Sequence, residues 1–262
     1  MITQRVYVEG LGEVATSVGD LSTNVKDLNG KLISVRDDAY SRIHANVGQA
    51  EGTRVSMIVN YLKGENPILV KQDKFPVRLA KELVIANRQG RYFSTGSEKQ
   101  YEQSAKLAEK EVKSGIAPAD RKAILCPSRA VFSMSPSENP EHLAFVFEDV
   151  AAEYYKKNKQ PIKFYPIDSQ IVDETNGTIQ NYTWFSGLDG ESVLLGSGRD
   201  PDFCVGSARG VRGGSGGSAE GTRKNSVQIP TLSEILEYSK PFVPPVARKD
   251  FEKGLRKILG KG

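Results

Sequence analysis

The sequence has few of the residues that most catalytic and secreted proteins depend on. Among its 262 residues there are two cysteines and two histidines. Two cysteines are too few for a disulfide scaffold or for the usual four-ligand zinc site. Two histidines leave little for metal binding or acid–base chemistry. We therefore expect a protein that is not an enzyme and that has no catalytic residues, no cofactor and no metal.

Long hydrophobic runs are also missing. No stretch approaches the roughly eighteen uncharged apolar residues that a spanning helix needs. Residues 1–6 contain neither the apolar segment nor the cleavage site of a secretory signal. The composition, 38% apolar and 26% charged residues, is that of a globular chain. We expect the protein in the cytoplasm, or within a particle assembled there, and not secreted by a signal peptide.

Strand patterns occur on both sides of the middle of the chain. Residues 54–62 and 67–70 are rich in β-branched and aromatic side chains. Asn29-Gly30 lies between two apolar runs and predicts a hairpin turn, because this dipeptide tolerates positive φ at both positions. Residues 162–195, with turn dipeptides at Asn176-Gly177 and Asp189-Gly190, predict an antiparallel meander.

Three helices are predicted in the middle of the chain. Residues 76–89 end at Gly90, and residues 97–114 begin with Ser97 and Gln100, the two side chains of a capping box. A third helix is expected from 140 to 157, capped by Asn139. The fold class is therefore α+β, with an antiparallel or mixed sheet, two to three packed helices, a glycine-rich arm and short C-terminal helices.

The last quarter of the chain differs in composition and charge. Residues 205–262 carry eleven basic and five acidic residues, a net charge of +6, whereas the whole chain has +4. We predict an α+β core domain over 1–195, a flexible Gly/Ser/Arg-rich arm or long loop over 196–226, and a basic C-terminal helical extension over 227–262.

The final helix predicts a protein-binding face, because its apolar side chains fall on one side. These partner-binding residues are Phe251, Leu255, Ile258 and Leu259. A flexible arm that ends in an amphipathic helix suits contact with a neighbouring subunit. The leading hypothesis is a non-catalytic structural or adaptor subunit of a homo- or hetero-oligomeric assembly. By analogy, that assembly is a virion, phage-tail or injection-type particle.

The alternative hypothesis is nucleic-acid binding through the basic tail. Arginines separated by glycines resemble RGG-type segments, in which guanidinium groups contact phosphates or stack on bases. The residues predicted for this role are Arg209, Arg212, Arg223, Lys224, Lys249, Lys253, Arg256 and Lys257.

An enzyme whose site is assembled from distant residues, such as Cys126 and His142, is the third alternative. We expect Cys126 to be a small core residue instead. Asp37 and Asp38 form a pair of neighbouring carboxylates, and His44 is expected near a polar β or loop segment. In a strand, consecutive side chains point to opposite faces, so shared chemistry between these two carboxylates is not expected.

Overall fold

The computed structural model describes residues 1–47, 52–91, 94–158, 160–166, 178–186, 193–195 and 207–212. Contacts divide the chain into two units, Met1–Asn225 and Ser226–Gly262, and every described residue belongs to the first. Within this described part, no helix is both long and apolar enough to cross a membrane.

Strands and helices alternate irregularly along the chain. The strands are β1 (Ile2–Val8), β2 (Gly12–Val18), β3 (Thr53–Leu62), β4 (Ile68–Lys71), β5 (Ser94–Thr95), β6 (Ala123–Leu125), β7 (Phe132–Met134), β8 (Ile162–Tyr165), β9 (Thr178–Phe185), β10 (Val193–Leu195) and β11 (Ser207–Arg212). The α-helices are α1 (Leu21–Asp27), α2 (Val35–Ala45), α3 (Val77–Arg88), α4 (Glu98–Lys113), α5 (Pro140–Phe147) and α6 (Ala151–Asn158). Short 3-10 helices span Pro118–Asp120 and Glu148–Val150.

All the described strands form one mixed sheet, which confirms the mixed α/β class. Its main order is β1-β2-β11-β3-β9-β10-β8-β7, with β4, β5 and β6 joined at its sides. The pairs β11–β3 and β10–β8 are parallel, and the others are antiparallel. The described part has more helices than the two to three predicted.

The sheet has apolar clusters on both faces, and its central strand β3 is buried from residue 53 to residue 61. In β3, Val55 and Val59 join a cluster that includes residues of α2, α5 and α6, whereas Ile58 joins residues of α1 and α3. Alternate residues of a strand point to opposite faces, so these helices cover both sides of the sheet. Helix α4 packs through Tyr101 and Ala108 in a third cluster.

Elements with strong local signals form where the sequence predicts them. Strands β3 and β4 and helices α3 and α4 lie within a few residues of the predicted ranges. The capping box is present: the Ser97 amide donates to Gln100 Oε1 (2.8 Å), and the Gln100 amide donates to Ser97 Oγ (3.2 Å). These elements are specified by neighbouring residues alone.

The hairpin prediction at Asn29-Gly30 is wrong. Both residues have positive φ, 52° and 75°, but they follow helix α1 instead of joining two strands. Asp20 starts this helix, since its carboxylate accepts a hydrogen bond from the Thr23 amide (2.7 Å). Left-handed residues end helices as readily as they form hairpin turns, so the dipeptide is ambiguous.

Two further predictions need correction. The helix expected over 140–157 is divided at Glu148, whose φ is 53°. The side chain of Asn139 does not cap it. Instead, the side-chain amide of Asn139 donates a hydrogen bond to the Ser133 carbonyl (2.8 Å). Nor do residues 162–195 form a simple meander: β10 lies between β8 and β9 and runs parallel to β8.

Candidate functional site

Strand β11 belongs to the sheet, although its residues were predicted to form part of a flexible arm. Ser207–Arg212 pairs antiparallel with β2 along its whole length, and Ala208 pairs with Arg54 of β3. Ile33 extends this link, because its amide donates to the Arg209 carbonyl (2.6 Å) and its carbonyl accepts from the Ser56 amide (2.9 Å). The prediction of a flexible arm or long loop is therefore wrong for residues 207–212, which form a paired strand.

A buried ion cluster fixes this strand to helix α2. Arg209 Nη1 lies 2.6 Å from Asp38 Oδ1, and Arg42 Nε lies 2.5 Å from Asp38 Oδ2. The side chains of Asp38 and Arg42 are 0% exposed and that of Arg209 is 1% exposed. The Arg42 guanidinium also lies over the Phe185 ring, 5.3 Å from its centroid. One carboxylate thus serves two buried cations.

This burial corrects the role predicted for Arg209. A guanidinium inside the core and paired with Asp38 cannot reach a phosphate backbone without breaking the ion cluster. Asp38 is likewise corrected: it lies in the first turn of a helix, where a carboxylate is favoured by the helix dipole. Its neighbour Asp37 pairs with Arg36 instead (3.0 Å).

Gly210 has a packing role in the same strand. A Cβ at this position would collide with the Lys31 carbonyl oxygen and crowd the Leu28 side chain. Only glycine lets the segment before α2 approach β11 so closely. The next-but-one residue, Arg212, has its backbone opposite Glu13 of β2.

A cleft lies beside β1 at the end of α2. It encloses about 540 Å³ and is lined by Val6, Tyr7, Glu9, His44, Ala45 and Asn46. Asn46 ends α2 in the left-handed conformation (φ 53°) and its amide donates to the Ser41 carbonyl. The lining combines a phenol ring, an imidazole, a carboxylate and an amide.

Aromatic and charged groups adjoin His44, one of the residues that line this cleft. The rings of Tyr40 and His44 lie 4.2 Å apart, and His44 Nε2 is 3.4 Å from Glu153 Oε2. Arg36 lies over Tyr40 and holds Asp149 through two contacts of 2.8 Å. These hydrogen bonds lower the pKa of Asp149 and raise that of Arg36. The arrangement suits recognition of a partner by ring contacts and hydrogen bonds.

Strand β1 borders the cleft and is the end strand of the sheet. Within the described residues it pairs with β2 and with no other strand. Tyr7 is 68% exposed, and Arg5, which is 47% exposed, lies 3.7 Å from Glu13. A seven-residue strand with an unpaired edge offers backbone donors and acceptors to another chain.

The reactive groups considered for an enzyme have structural positions. Cys126 is buried, and burial raises the pKa of its thiol. His142 Nε2 donates to the Leu125 carbonyl (3.0 Å), and burial lowers the pKa of its imidazole. Among the described residues, no group of three or more His, Cys, Asp or Glu side chains is arranged to hold a metal ion.

Most of the predicted binding residues lie outside the described part of the chain. These are the partner-binding residues Phe251, Leu255, Ile258 and Leu259 and the cations Arg223, Lys224, Lys249, Lys253, Arg256 and Lys257. The backbone of Arg212 is described as part of β11, but its side chain is not.

Comparison with known proteins finds a similar fold but gives no information on function. No protein-family profile and no curated protein matches the sequence. The chain is similar to a solved structure described as "Accommodation of massive sequence variation in Nanoarchaeota by the C-type lectin fold". The TM-score is 0.50, the match covers 80% of this chain and 98% of the other, and the sequences are 10% identical. At this identity the similarity concerns the C-type lectin fold alone.

Sequence reasoning missed the ion cluster for a specific reason. Asp38 and Arg42 are four residues apart, which is ion-pair spacing on a helix, and this signal was available. The segment around these two residues has no clear apolar stripe, so the sequence pattern does not predict a helix there. The third member, Arg209, is 171 residues away from Asp38, and no local pattern links them.

Proposed function

We propose that the protein is a non-catalytic structural or adaptor subunit of a larger assembly, whose C-terminal region makes contact with other subunits. The observation that carries the proposal is the anchoring of β11. Six residues close to the tail are built into the interior of the sheet and held by the buried pair Arg209–Asp38. Such a strand is a rigid base for whatever follows Arg212.

The sequence after that base has the character of a contact segment. Residues 213–262 contain the expected amphipathic face Phe251, Leu255, Ile258 and Leu259, flanked by basic residues. A helix that presents an apolar face to a groove on another subunit is a common mode of recognition. A virion, phage-tail or injection-type particle remains the specific form of assembly that we propose, by analogy with other proteins that use such arms.

Three of the described groups that could serve an enzyme, Asp38, Cys126 and His142, have structural roles. Asp38 pairs with Arg42 and Arg209, His142 binds a backbone carbonyl, and Cys126 is buried with a raised thiol pKa. The exposed cleft beside β1 offers rings and hydrogen-bonding groups. Recognition therefore has more support than catalysis.

The test is the mass of the full chain in solution, measured by size-exclusion chromatography with light scattering. We expect an oligomer that dissociates when Leu255 and Leu259 are both changed to Asp, because charge on the apolar face opposes its burial. The matched control is Lys253→Glu with Lys257→Glu, which changes charge in the same segment but leaves the apolar face intact. A wild-type chain that stays monomeric at every concentration would contradict the proposal.

Nucleic-acid binding is the second candidate, favoured by the +6 charge of residues 205–262. Burial removes Arg209 from this role, so the remaining cations would carry it. Binding to a single-stranded oligonucleotide should weaken steeply with salt, and the salt dependence should fall when Arg223 and Lys224 are changed to Glu. Unchanged affinity after reversal of all the tail cations would end this alternative.

A further inference from the structure

The segment that contains helix α3 concentrates positive charge. Residues 74–91 contain one acidic residue and five basic ones, Lys74, Arg78, Lys81, Arg88 and Arg91. The whole chain has a net charge of +4 and residues 205–262 have +6, so residues 1–204 have −2. A short segment with a net charge of +4 therefore lies in a part of the chain that is negative overall.

The cations of this segment fall on one side of the helix. Arg78, Lys81 and Arg88 follow one another at intervals of three and seven residues, which brings their side chains to one face. Lys74 lies just before the helix begins. All four residues are exposed, whereas the buried apolar residues of α3 pack in the cluster that contains residues of β2 and β3.

The turn after helix α1 adds a further cation at the start of α3. The Phe75 amide donates to the Gly30 carbonyl (2.7 Å), and a Cβ on Gly30 would lie 3.8 Å from the Lys74 Cβ. Lys31, which follows Gly30, is exposed. Apolar residues of α1 and α3 share one buried cluster, so the two segments are held in a fixed arrangement. We call the resulting set the cationic stripe: Lys31, Lys74, Arg78, Lys81 and Arg88.

The cationic stripe has little charge compensation in the described part of the chain. Its three lysines form no ion pair with any described residue. Its two arginines have exposed ion pairs: Arg78, which is 91% exposed, lies 2.7 Å from Glu82, and Arg88, which is 62% exposed, lies 3.5 Å from Asp20. Exposed pairs contribute little, so all five cations are available to an anion outside the fold.

The chemistry of this surface favours a nucleic-acid backbone over a lipid bilayer. A helix that lies on a bilayer needs a continuous apolar face. On α3, Val77 and Ile85 are exposed, but Lys81 lies between them, and the larger apolar face is buried. The exposed charges match phosphates, which supply most of the affinity of sequence-independent nucleic-acid binding.

The same surface favours a duplex over a single strand. Helix α3 contains no aromatic residue, so it offers no ring on which an unpaired base could stack. From Arg78 to Arg88 the helix rises about 15 Å. That length spans about four phosphates of one strand of a duplex.

We propose that the cationic stripe binds the phosphate backbone of double-stranded nucleic acid without reading its sequence. This inference rests on the second candidate function, nucleic-acid binding, and locates a contact for it in the first unit of the chain. That contact is separate from the cations of the tail.

The test measures binding of the full chain to a short, fluorescently labelled DNA duplex by anisotropy at several salt concentrations. We expect Lys74→Gln with Lys81→Gln to weaken binding, and to reduce the steepness of log K against log salt by about 1.8, because each lost phosphate contact removes about 0.9. The loss of affinity should be the same for duplexes of different sequence. An unchanged salt dependence would refute the proposal.

Helix α4 provides the matched control. Glu98–Lys113 contains four lysines and four glutamates, so its charges balance. Lys99→Gln with Lys110→Gln removes two exposed lysines and the same net charge from the full chain. We expect this variant to keep the wild-type salt dependence. An equal loss in the α3 and α4 variants would show that net charge alone governs binding, and would overturn the proposal.

Failure of this inference can be told apart from failure of the second candidate function. If Arg223→Glu with Lys224→Glu lowers the salt dependence and the α3 variant does not, the stripe has no part and binding through the tail stands. If the wild-type chain binds no duplex, both ideas fail. Binding to vesicles that contain phosphatidylserine, without binding to the duplex, would assign the stripe to a membrane surface and overturn the proposal.

Discussion

Strand β2 pairs with two strands, β1 and β11, which differ in their distance along the sequence and in their burial. β1 precedes it across a short turn, and its residues Arg5 and Tyr7 face solvent. β11 pairs with its other edge from almost two hundred residues later in the chain, and Ala208, Arg209 and Gly210 are buried. Both strands carry an arginine beside a carboxylate. One pair, Arg5–Glu13, is exposed and loose, whereas the other, Arg209–Asp38, is buried and close.

The difference shows how burial decides what an arginine does. In water, an ion pair is screened and contributes little. In the core, each charge needs its partner, because an unpaired buried ion is costly. The same residue type is therefore exposed to solvent in β1 and committed to the fold in β11.

The largest expected effect comes from removing the shared carboxylate. Asp38→Ala leaves two buried guanidinium groups without their carboxylate, so we expect the free energy of unfolding to fall by about 3–5 kcal/mol. Urea denaturation followed by circular dichroism measures this. The control is Asp37→Ala, where the partner is the partly exposed Arg36 and the expected loss is below about 1 kcal/mol. Similar losses for the two variants would show that the buried cluster is not what holds β11.

A smaller effect is expected at Gly210. In Gly210→Ala the added methyl group meets the Lys31 carbonyl, a backbone atom that cannot turn away, so we expect a loss of about 1–3 kcal/mol from overpacking. The control is Gly96→Ala, where the added methyl would lie 3.3 Å from a Thr178 methyl group. There the loss should be below about 1 kcal/mol. A Gly210→Ala protein with wild-type stability would mean that glycine at 210 serves flexibility and not close packing.

The smallest effect is expected at the exposed strand. Arg5→Gln removes one partner of a pair whose side chains are 47% and 38% exposed, so the free energy of unfolding should change by less than about 1 kcal/mol. This is measured on dilute protein, where self-association does not contribute. A loss of stability comparable to that of Asp38→Ala would contradict the conclusion that the exposed ion pair contributes much less than the buried one.

Predictions from sequence succeeded where neighbouring residues determine the structure. Helix α4 is specified by Ser97, Gln100 and an amphipathic pattern, all within one segment. Strand β3 is specified by its own run of β-branched and apolar residues. Such elements do not depend on what they meet in the fold.

Predictions failed where distant partners determine the structure. Helix α2 buries Asp38, Ser41 and Arg42 together with Val35 and Ala39, so polar residues interrupt its apolar stripe and the sequence resembles a polar segment. The glycines near β11 were interpreted as flexible, but Gly210 is there because Lys31 passes close by. The candidate cleft brings together Tyr7 and His44, which are far apart in the sequence. No local sequence pattern marks either residue as part of a site.

The position of β11 has a consequence for biosynthesis. β2 and β3 leave the ribosome long before the strand that lies between them, so the nascent chain carries an unfilled gap in its sheet until Arg212 has emerged. Contacts of such long sequence separation form slowly, and unpaired strands are prone to aggregate while they wait. A chain terminated before Ser207 would lack β11, so its β2 and β3 would stay without the strand that lies between them. We expect cellular quality control to treat such a chain as unfolded.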